Sequence, residues 1–153
     1  MSSGETELLA LLNSAPVHHG QVVETLDDPR LIQLRGDLHA VIRDHEPVSR
    51  LARYLEGVSQ QPQLSDDGLN WQLVGPPSSL PCAELVLEWA RVERELPGRL
   101  RACANEECTK FLIDHSKPNT ARWCSMAGCG NRMKARRHHA RQLAGAAAEA
   151  ESV

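Results

Sequence analysis

The stretch Arg99–Arg141 reads RLRACANEECTKFLIDHSKPNTARWCSMAGCGNRMKARRHHAR and holds four of the five cysteines of this 153-residue chain. The cysteines form two pairs with equal internal spacing. Cys103 and Cys108 enclose four residues, Cys124 and Cys129 enclose four more, and fifteen residues separate the pairs. Each short loop lets two thiolates converge on one metal ion, and the spacer has room for a β-hairpin that brings the pairs together. The spacing therefore predicts one structural Zn²⁺ bound by four cysteines.

The residues around the cysteines predict a treble-clef-like module made of a knuckle, a β-hairpin and a basic helix. A strand over Arg99–Ala102 leads into the first cysteine pair, a second strand covers Thr109–Asp114, and Cys129 lies in the first turn of the last helix. A helix N-terminus favours a thiolate there. Four thiolates fill a tetrahedral shell and leave no position for a catalytic water. Disulfides or simply packed cysteines are the alternatives, but neither explains two equal spacings.

A basic run follows the last cysteine directly and has helical character. We expect this helix to lie along or in the major groove of double-stranded DNA, where its side chains meet phosphates or base edges. A solvated basic face that only aids solubility is the alternative. Asn131 has two interpretations, because its amide could contact adenine or could cap the zinc knuckle from within. The predicted nucleic-acid contacts are Asn131, Arg132, Lys134, Arg136, Arg137 and Arg141, with Arg122 from the spacer.

The charge distribution supports an anionic partner for the C-terminal part. The chain has a net charge of −3, yet residues 1–98 hold seven Lys/Arg against fifteen Asp/Glu, whereas residues 99–141 hold ten against three. A split of this size favours binding of an anion by the basic segment. Aromatic residues make up only 3% of the chain, which disfavours an RNA-binding surface of stacked rings.

The segment RWCSMAGCGNRMKARRHHAR resembles the hallmark of the CGNR zinc-finger family, whose namesake tetrad corresponds to Cys129-Gly130-Asn131-Arg132. In the spacer, Asn119–Arg122 stands where members of the family place consecutive arginines. Upstream, Leu12-Asn13 and an Asp-Gly turn loosely resemble the helical ABATE domain. The resemblance implies a bacterial, stress-linked transcription regulator that binds DNA through its zinc finger. The alternative function is that of an adaptor protein, stabilised by zinc, that binds RNA or protein through the same helix.

Residues 1–97 predict a small, mostly α-helical domain with one β-hairpin. Apolar residues recur at helical spacing, and proline and capping signals mark the ends. The predicted helices are Glu5–Leu12, one from a cap at Asp27 or Asp28 to near His45, one from Pro47 to near Gly57, and one from Pro81 to Leu96.

The predicted hairpin lies within Gln63–Val74, where Asp66-Asp67-Gly68 gives a turn signal and apolar residues then alternate with polar ones. We expect Trp71 and Trp89 to be core residues, and Cys82 to be a buried small side chain.

The chain is thus expected to divide into a regulatory domain (1–97), a zinc finger (98–142) and a tail (143–153). No signal peptide or membrane-spanning run is recognisable, so a cytoplasmic protein without membrane contact is expected. No nucleophile-elbow, phosphate-loop or paired-carboxylate pattern occurs, so an enzyme is not expected. Residues 1–97 are expected to bind a small-molecule or protein effector. The oligomeric state and the DNA sequence recognised stay open.

Overall fold

The computed structural model describes residues 1–18 and 20–151, and about half of these residues are helical. A 3₁₀ helix over Val48–Tyr54 and one π-helical turn over Met126–Gly130 accompany the α-helices. The α-helices are α1 (Ser3–Leu12), α2 (Pro29–Arg43), α3 (Leu80–Glu95) and α4 (Asn131–Glu151). Helix α4 enters the predicted tail, whose last two residues lie outside the described residues.

The strands form three antiparallel pairs. The first pair is very short and was not predicted from the sequence. The second is the predicted hairpin, with a first strand that begins four residues earlier than expected. The third joins the two strands predicted on either side of the first cysteine pair. The pairs are β1 (Val17–His18) with β2 (Gln21–Val22), β3 (Ser59–Ser65) with β4 (Gly68–Val74), and β5 (Leu100–Ala102) with β6 (Phe111–Ile113). The β-hairpin expected within the spacer is not formed, because residues 114–123 contain no strand and β6 pairs with β5 instead.

Local capping explains where the first two helices begin. Ser2 and Glu5 form a reciprocal capping box, so α1 begins before the predicted start at Glu5. Asp28 caps α2 as predicted, and its side chain accepts a hydrogen bond from the Arg30 amide at 2.8 Å. Pro29 occupies the first turn of α2, where its missing N–H is not needed.

The third predicted helix is shorter and more tightly wound than expected. A 3₁₀ helix replaces the predicted α-helix and ends at Tyr54. Its N-cap is Pro47, which provides no side-chain cap, and Gly57 already has a left-handed backbone with φ +71°. A short segment without a cap satisfies its backbone more readily by tight i→i+3 turns than by an α-helix.

One hydrophobic core joins the helical part to the zinc module. Trp89 and Cys82 are buried in it, as predicted. The core combines residues of α1, α2 and α3 with residues of β5 and β6, namely Leu8, Leu12, Leu34, Leu38, Val86, Val92, Leu100, Phe111 and Ile113. The β5–β6 pair therefore packs onto the helices instead of standing apart from them.

Polar contacts reinforce this junction. The Asn13 side chain accepts a hydrogen bond from the Phe111 amide at 2.7 Å and donates one to the Phe111 carbonyl at 3.2 Å. The Thr109 hydroxyl donates to the Ala15 carbonyl at 3.2 Å. The His39 and Phe111 rings are in contact, with centroids 4.5 Å apart. The C-terminal end of α1 is thereby fixed to β6.

The expectation that Trp71 is a core residue is wrong. The register pairs Leu64 with Leu69 and Pro62 with Trp71, which places these four side chains on one face of the β3–β4 hairpin. That face is open to solvent, and Trp71 is 60% exposed. Alternation along a strand shows which residues share a face, but it does not show whether that face meets another element.

Helix length and hydropathy also bear on membrane contact. In residues 1–18 and 20–151, no helix combines the length and the apolar character needed to cross a bilayer.

Candidate metal centre

The four cysteine sulfurs converge on one point. The Sγ atoms of Cys103, Cys108, Cys124 and Cys129 all lie within 4.8 Å of one another. Cys124 Sγ is 3.8 Å from Cys108 Sγ and 3.7 Å from Cys129 Sγ. Tetrahedral zinc with Zn–S bonds of ~2.3 Å requires sulfurs about 3.8 Å apart. The donor set therefore fits one structural Zn²⁺, as the cysteine spacing predicts.

The first cysteine pair is held by backbone hydrogen bonds in the knuckle between β5 and β6. The Cys103 amide donates to the Lys110 carbonyl at 2.8 Å, and the Cys108 amide donates to the Asn105 carbonyl at 2.8 Å. These two bonds close the loop and direct both sulfurs to the same side.

The second cysteine pair is positioned by the π-helical turn that precedes α4. The Ser125 hydroxyl caps this turn by accepting from the Gly128 amide at 3.0 Å. Cys129 lies in the turn, two residues before the first residue of α4, and not in the first α-helical turn as predicted. A Cβ atom on Gly130 would lie 2.8 Å from Met126 Sδ, so a larger residue here would displace the exposed Met126 thioether.

The amide that caps the metal site from within belongs to Asn105. Its side chain is 1% exposed, and its Nδ2 donates to Cys129 Sγ at 3.4 Å. The Cys124 backbone amide donates to Cys103 Sγ at the same distance. Such N–H···S bonds orient the ligands and stabilise their thiolate forms. The sequence analysis considered Asn131 for this role, but Asn131 is exposed at the start of α4.

The sequence analysis missed Asn105. A signal was available, because an asparagine stands two residues after Cys103 inside the polar knuckle, where its short amide can turn back toward the sulfurs.

The thiols differ in how readily they ionise. Burial raises the pKa of the Cys108 and Cys124 thiols. Burial acts in the same direction on Cys129, but hydrogen bonds from Asn105 and from the neighbouring thiols outweigh it and lower the pKa of that thiol. Binding of zinc requires all four thiolates and so releases protons. The bound metal would hold the knuckle against the turn that starts α4.

The predicted nucleic-acid contacts occupy several positions around this centre. Lys134, Arg137 and Arg141 line one shallow depression on a single face of α4, together with His138. Their spacing of three and four residues places them on neighbouring helical turns. All three basic side chains are exposed. The structure thus brings three of the seven predicted contacts together on one face.

None of the other predicted contacts lines that depression. Arg136 forms an ion pair with Glu107 of the knuckle at 2.6 Å, and both side chains are about half exposed. Arg132 lines a depression beside three of the cysteines. The Arg122 guanidinium lies over the Trp123 ring, 5.3 Å from its centroid. Asn131 precedes Lys134 by one helical turn.

Comparison with known proteins identifies the C-terminal part. Residues 99–142 match the family model described as the CGNR zinc finger. The match covers less than a third of the chain and includes all four cysteines. It does not include α1, α2 or α3, so the resemblance of that part to the ABATE domain stays a prediction. The chain has no match among curated proteins.

Proposed function

We propose that this chain is a zinc-dependent, sequence-specific DNA-binding protein that acts as a transcription regulator in the cytoplasm. The proposal is carried by one observation. An exposed face of α4, formed by Lys134, Arg137 and Arg141, belongs to a helix that begins two residues after the zinc ligand Cys129. The stress-linked role rests on the resemblance alone.

The zinc ion has a structural role in this proposal. Four sulfurs complete its shell, so it binds no substrate and activates no water. It joins the knuckle to the start of α4, and a knuckle between two paired strands followed by a helix supports a treble-clef-like module. A helix fixed at one end keeps its basic face in a constant position relative to the rest of the molecule.

The dimensions and charges of α4 suit duplex DNA. The major groove is about 12 Å wide and admits one α-helix, with phosphates along both of its edges. The face formed by Lys134, Arg137 and Arg141 would meet one phosphate backbone, and Arg132 would approach the other. Asn131 is exposed at the start of the helix, so its amide is free to contact a base edge. The acidic residues 1–98 would be repelled by the DNA and would face away from it.

Salt dependence tests the electrostatic part of this proposal. Affinity for duplex DNA is measured over a range of salt concentrations, and log K is plotted against log salt. About six phosphate contacts give a slope near −5. The triple variant Lys134→Gln, Arg137→Gln, Arg141→Gln should reduce the slope by about 3 units. A matched control replaces Arg94 and Lys117, which are exposed and outside α4, and should leave the slope unchanged.

The preference for one binding partner over another tests whether the chain recognises a specific DNA sequence. Selection of bound sequences from random duplex DNA should yield a preferred site, and a zinc-chelated sample should yield none. Equal or tighter binding to duplex RNA or to an acidic polypeptide would support the adaptor function instead. Affinity that does not change with salt would contradict binding through phosphates.

A further inference from the structure

A groove of about 650 Å³ runs between α1 and α3. Leu11 of α1, Leu85 of α3 and the segment that carries Leu26 and Leu31 give it an apolar lining on three sides. Sites for small molecules are concave and mostly apolar, with volumes of roughly 300–1,000 Å³. The groove has the size and the lining of such a site, and its lining includes no zinc ligand and no residue of α4.

The charged residues that line this groove are all acidic, namely Glu7, Glu84 and Glu88. Arg91 neutralises Glu88 through an ion pair of 2.6 Å. Glu7 accepts a hydrogen bond from the Ser3 hydroxyl at 3.0 Å but has no ion pair among the described residues. Glu84 makes neither a hydrogen bond nor an ion pair with any described residue. Two carboxylates beside the apolar lining thus lack a positive partner.

The walls of the groove are fixed by packing and by hydrogen bonds. At Gly4, α1 lies so close to α3 that an added Cβ atom would be 2.6 Å from the Glu88 carboxyl carbon. Beyond the end of α1, the buried Ser14 hydroxyl accepts a hydrogen bond from Arg35 of α2 at 2.7 Å. A ligand would therefore not have to order α1 and α3, which lowers the entropic cost of binding.

We propose that the groove between α1 and α3 binds an amphipathic organic cation, with an amine on an aliphatic or aromatic body. The body contacts the leucines, and Glu7 and Glu84 bind the ammonium group. An anion would meet uncompensated negative charge at the same place, and a neutral molecule would gain only the apolar contacts. This proposal does not depend on binding of nucleic acid by α4.

Amide NMR of the full-length, zinc-loaded chain tests the proposal with three probes of equal chain length, namely octylammonium, 1-octanol and octanoate. Octylammonium should cause saturable shifts at α1 and α3 residues that line the groove. The affinities should fall in the order octylammonium, 1-octanol, octanoate. Equal binding of octanoate would overturn the proposal, as would shifts confined to other parts of the chain or no saturable binding of octylammonium.

Variants separate the charge from the apolar surface. Glu7→Gln and Glu84→Gln should each weaken octylammonium binding about 3-fold, which corresponds to the usual strength of an exposed ion pair. Binding of 1-octanol should not change. Glu56→Gln is the matched control, because Glu56 is exposed and does not line the groove. If the double variant Glu7→Gln, Glu84→Gln binds octylammonium as tightly as the control does, the assigned role of the carboxylates is wrong. Tighter binding of a basic peptide than of octylammonium would reject the small-molecule assignment.

Discussion

Two asparagines near the zinc site occupy contrasting environments. Asn105 is buried and donates a hydrogen bond to Cys129 Sγ, whereas Asn131 is exposed. Both amides are within a few residues of a ligand, so sequence position alone does not separate them. The buried donor stabilises a thiolate in a site where water cannot replace it.

Replacement of these residues should have different effects on zinc affinity. Asn105→Ala removes the donor to Cys129 and should weaken zinc binding about 10- to 100-fold, the usual effect of losing a hydrogen bond to a metal ligand. Competition with a chromophoric chelator measures the affinity. Asn131→Ala is the matched control and should retain the parental affinity. The opposite ranking would assign the internal cap to Asn131.

The single tyrosine of the chain provides an independent probe of the helical core. The Tyr54 hydroxyl donates to Asp37 at 2.5 Å, and Arg50 and Arg53 bind the same carboxylate. Burial, followed by the hydrogen bond to Asp37, raises the pKa of Tyr54 to about 12. A tyrosine in an unfolded chain ionises near pH 10.

Alkaline titration should therefore show delayed ionisation of Tyr54. Absorbance at 295 nm, which reports ionised tyrosine, should stay nearly constant up to about pH 10 and should rise near pH 12. Because the folded pKa exceeds the unfolded value, this group stabilises the fold fully below about pH 10, and the contribution is lost as the pH rises through the folded value. Asp37→Asn should lower the midpoint. A midpoint near pH 10 in the parent chain would contradict the buried contact.

At the scale of elements, two tryptophans on neighbouring elements have opposite environments. Trp89 of α3 is 8% exposed and belongs to the core, whereas Trp71 of β4 is 60% exposed. Trp89→Ala should lower the free energy of unfolding by roughly 3–5 kcal/mol, as large-to-small changes in cores do. Trp71→Ala should change it by about 0.5 kcal/mol or less. Urea unfolding measures both, and a large loss for Trp71→Ala would mean that the hairpin face is covered in solution.

Local signals in the sequence predicted most of the elements. Pro29, Pro81 and the cap at Asp28 mark helix starts through backbone chemistry that acts within one turn. The Asp66-Asp67-Gly68 turn likewise fixes the hairpin register. The 3₁₀ winding that ends at Tyr54 was missed although its cause, a short segment without a side-chain cap, is also local. Tertiary packing decided what local signals could not, namely the exposure of Trp71.

In the metal site, too, some features could be predicted from the sequence and others depend on the folded structure. Cysteine spacing identified the four ligands, because loop length limits which sulfurs can meet. The role of Asn105 depends on the path of the folded knuckle, which spacing does not specify. The grouping of Lys134, Arg137 and Arg141 on one face followed from helical periodicity. The ion pair of Arg136 with Glu107 depends on how α4 lies against the knuckle and was not predictable.

At the scale of the whole molecule, the zinc module contributes to the stability of the helical part. Leu100, Phe111 and Ile113 belong to the same core as residues of α1, α2 and α3, and Asn13 bonds to both backbone groups of Phe111. Because β5 and β6 flank the first cysteine pair, we expect loss of zinc to loosen the strands that complete this core. Metal binding and helical stability should therefore be linked.

Removal of zinc should accordingly destabilise the helices as well as the knuckle. A metal present at about 1,000 times its Kd contributes about 4 kcal/mol, which corresponds to a fall in Tm of roughly 10 °C for a domain of this size. Circular dichroism at 222 nm and Trp89 fluorescence, recorded in a Trp71→Phe, Trp123→Phe background that leaves Trp89 as the single tryptophan, should both report the shift in one shared transition. Asn13→Ala serves as a second variant, because it weakens the junction without touching a metal ligand and should lower the Tm in the presence of zinc. A helical transition that stays at the same temperature after chelation would show that the two parts unfold independently, and the shared core would then contribute little to either.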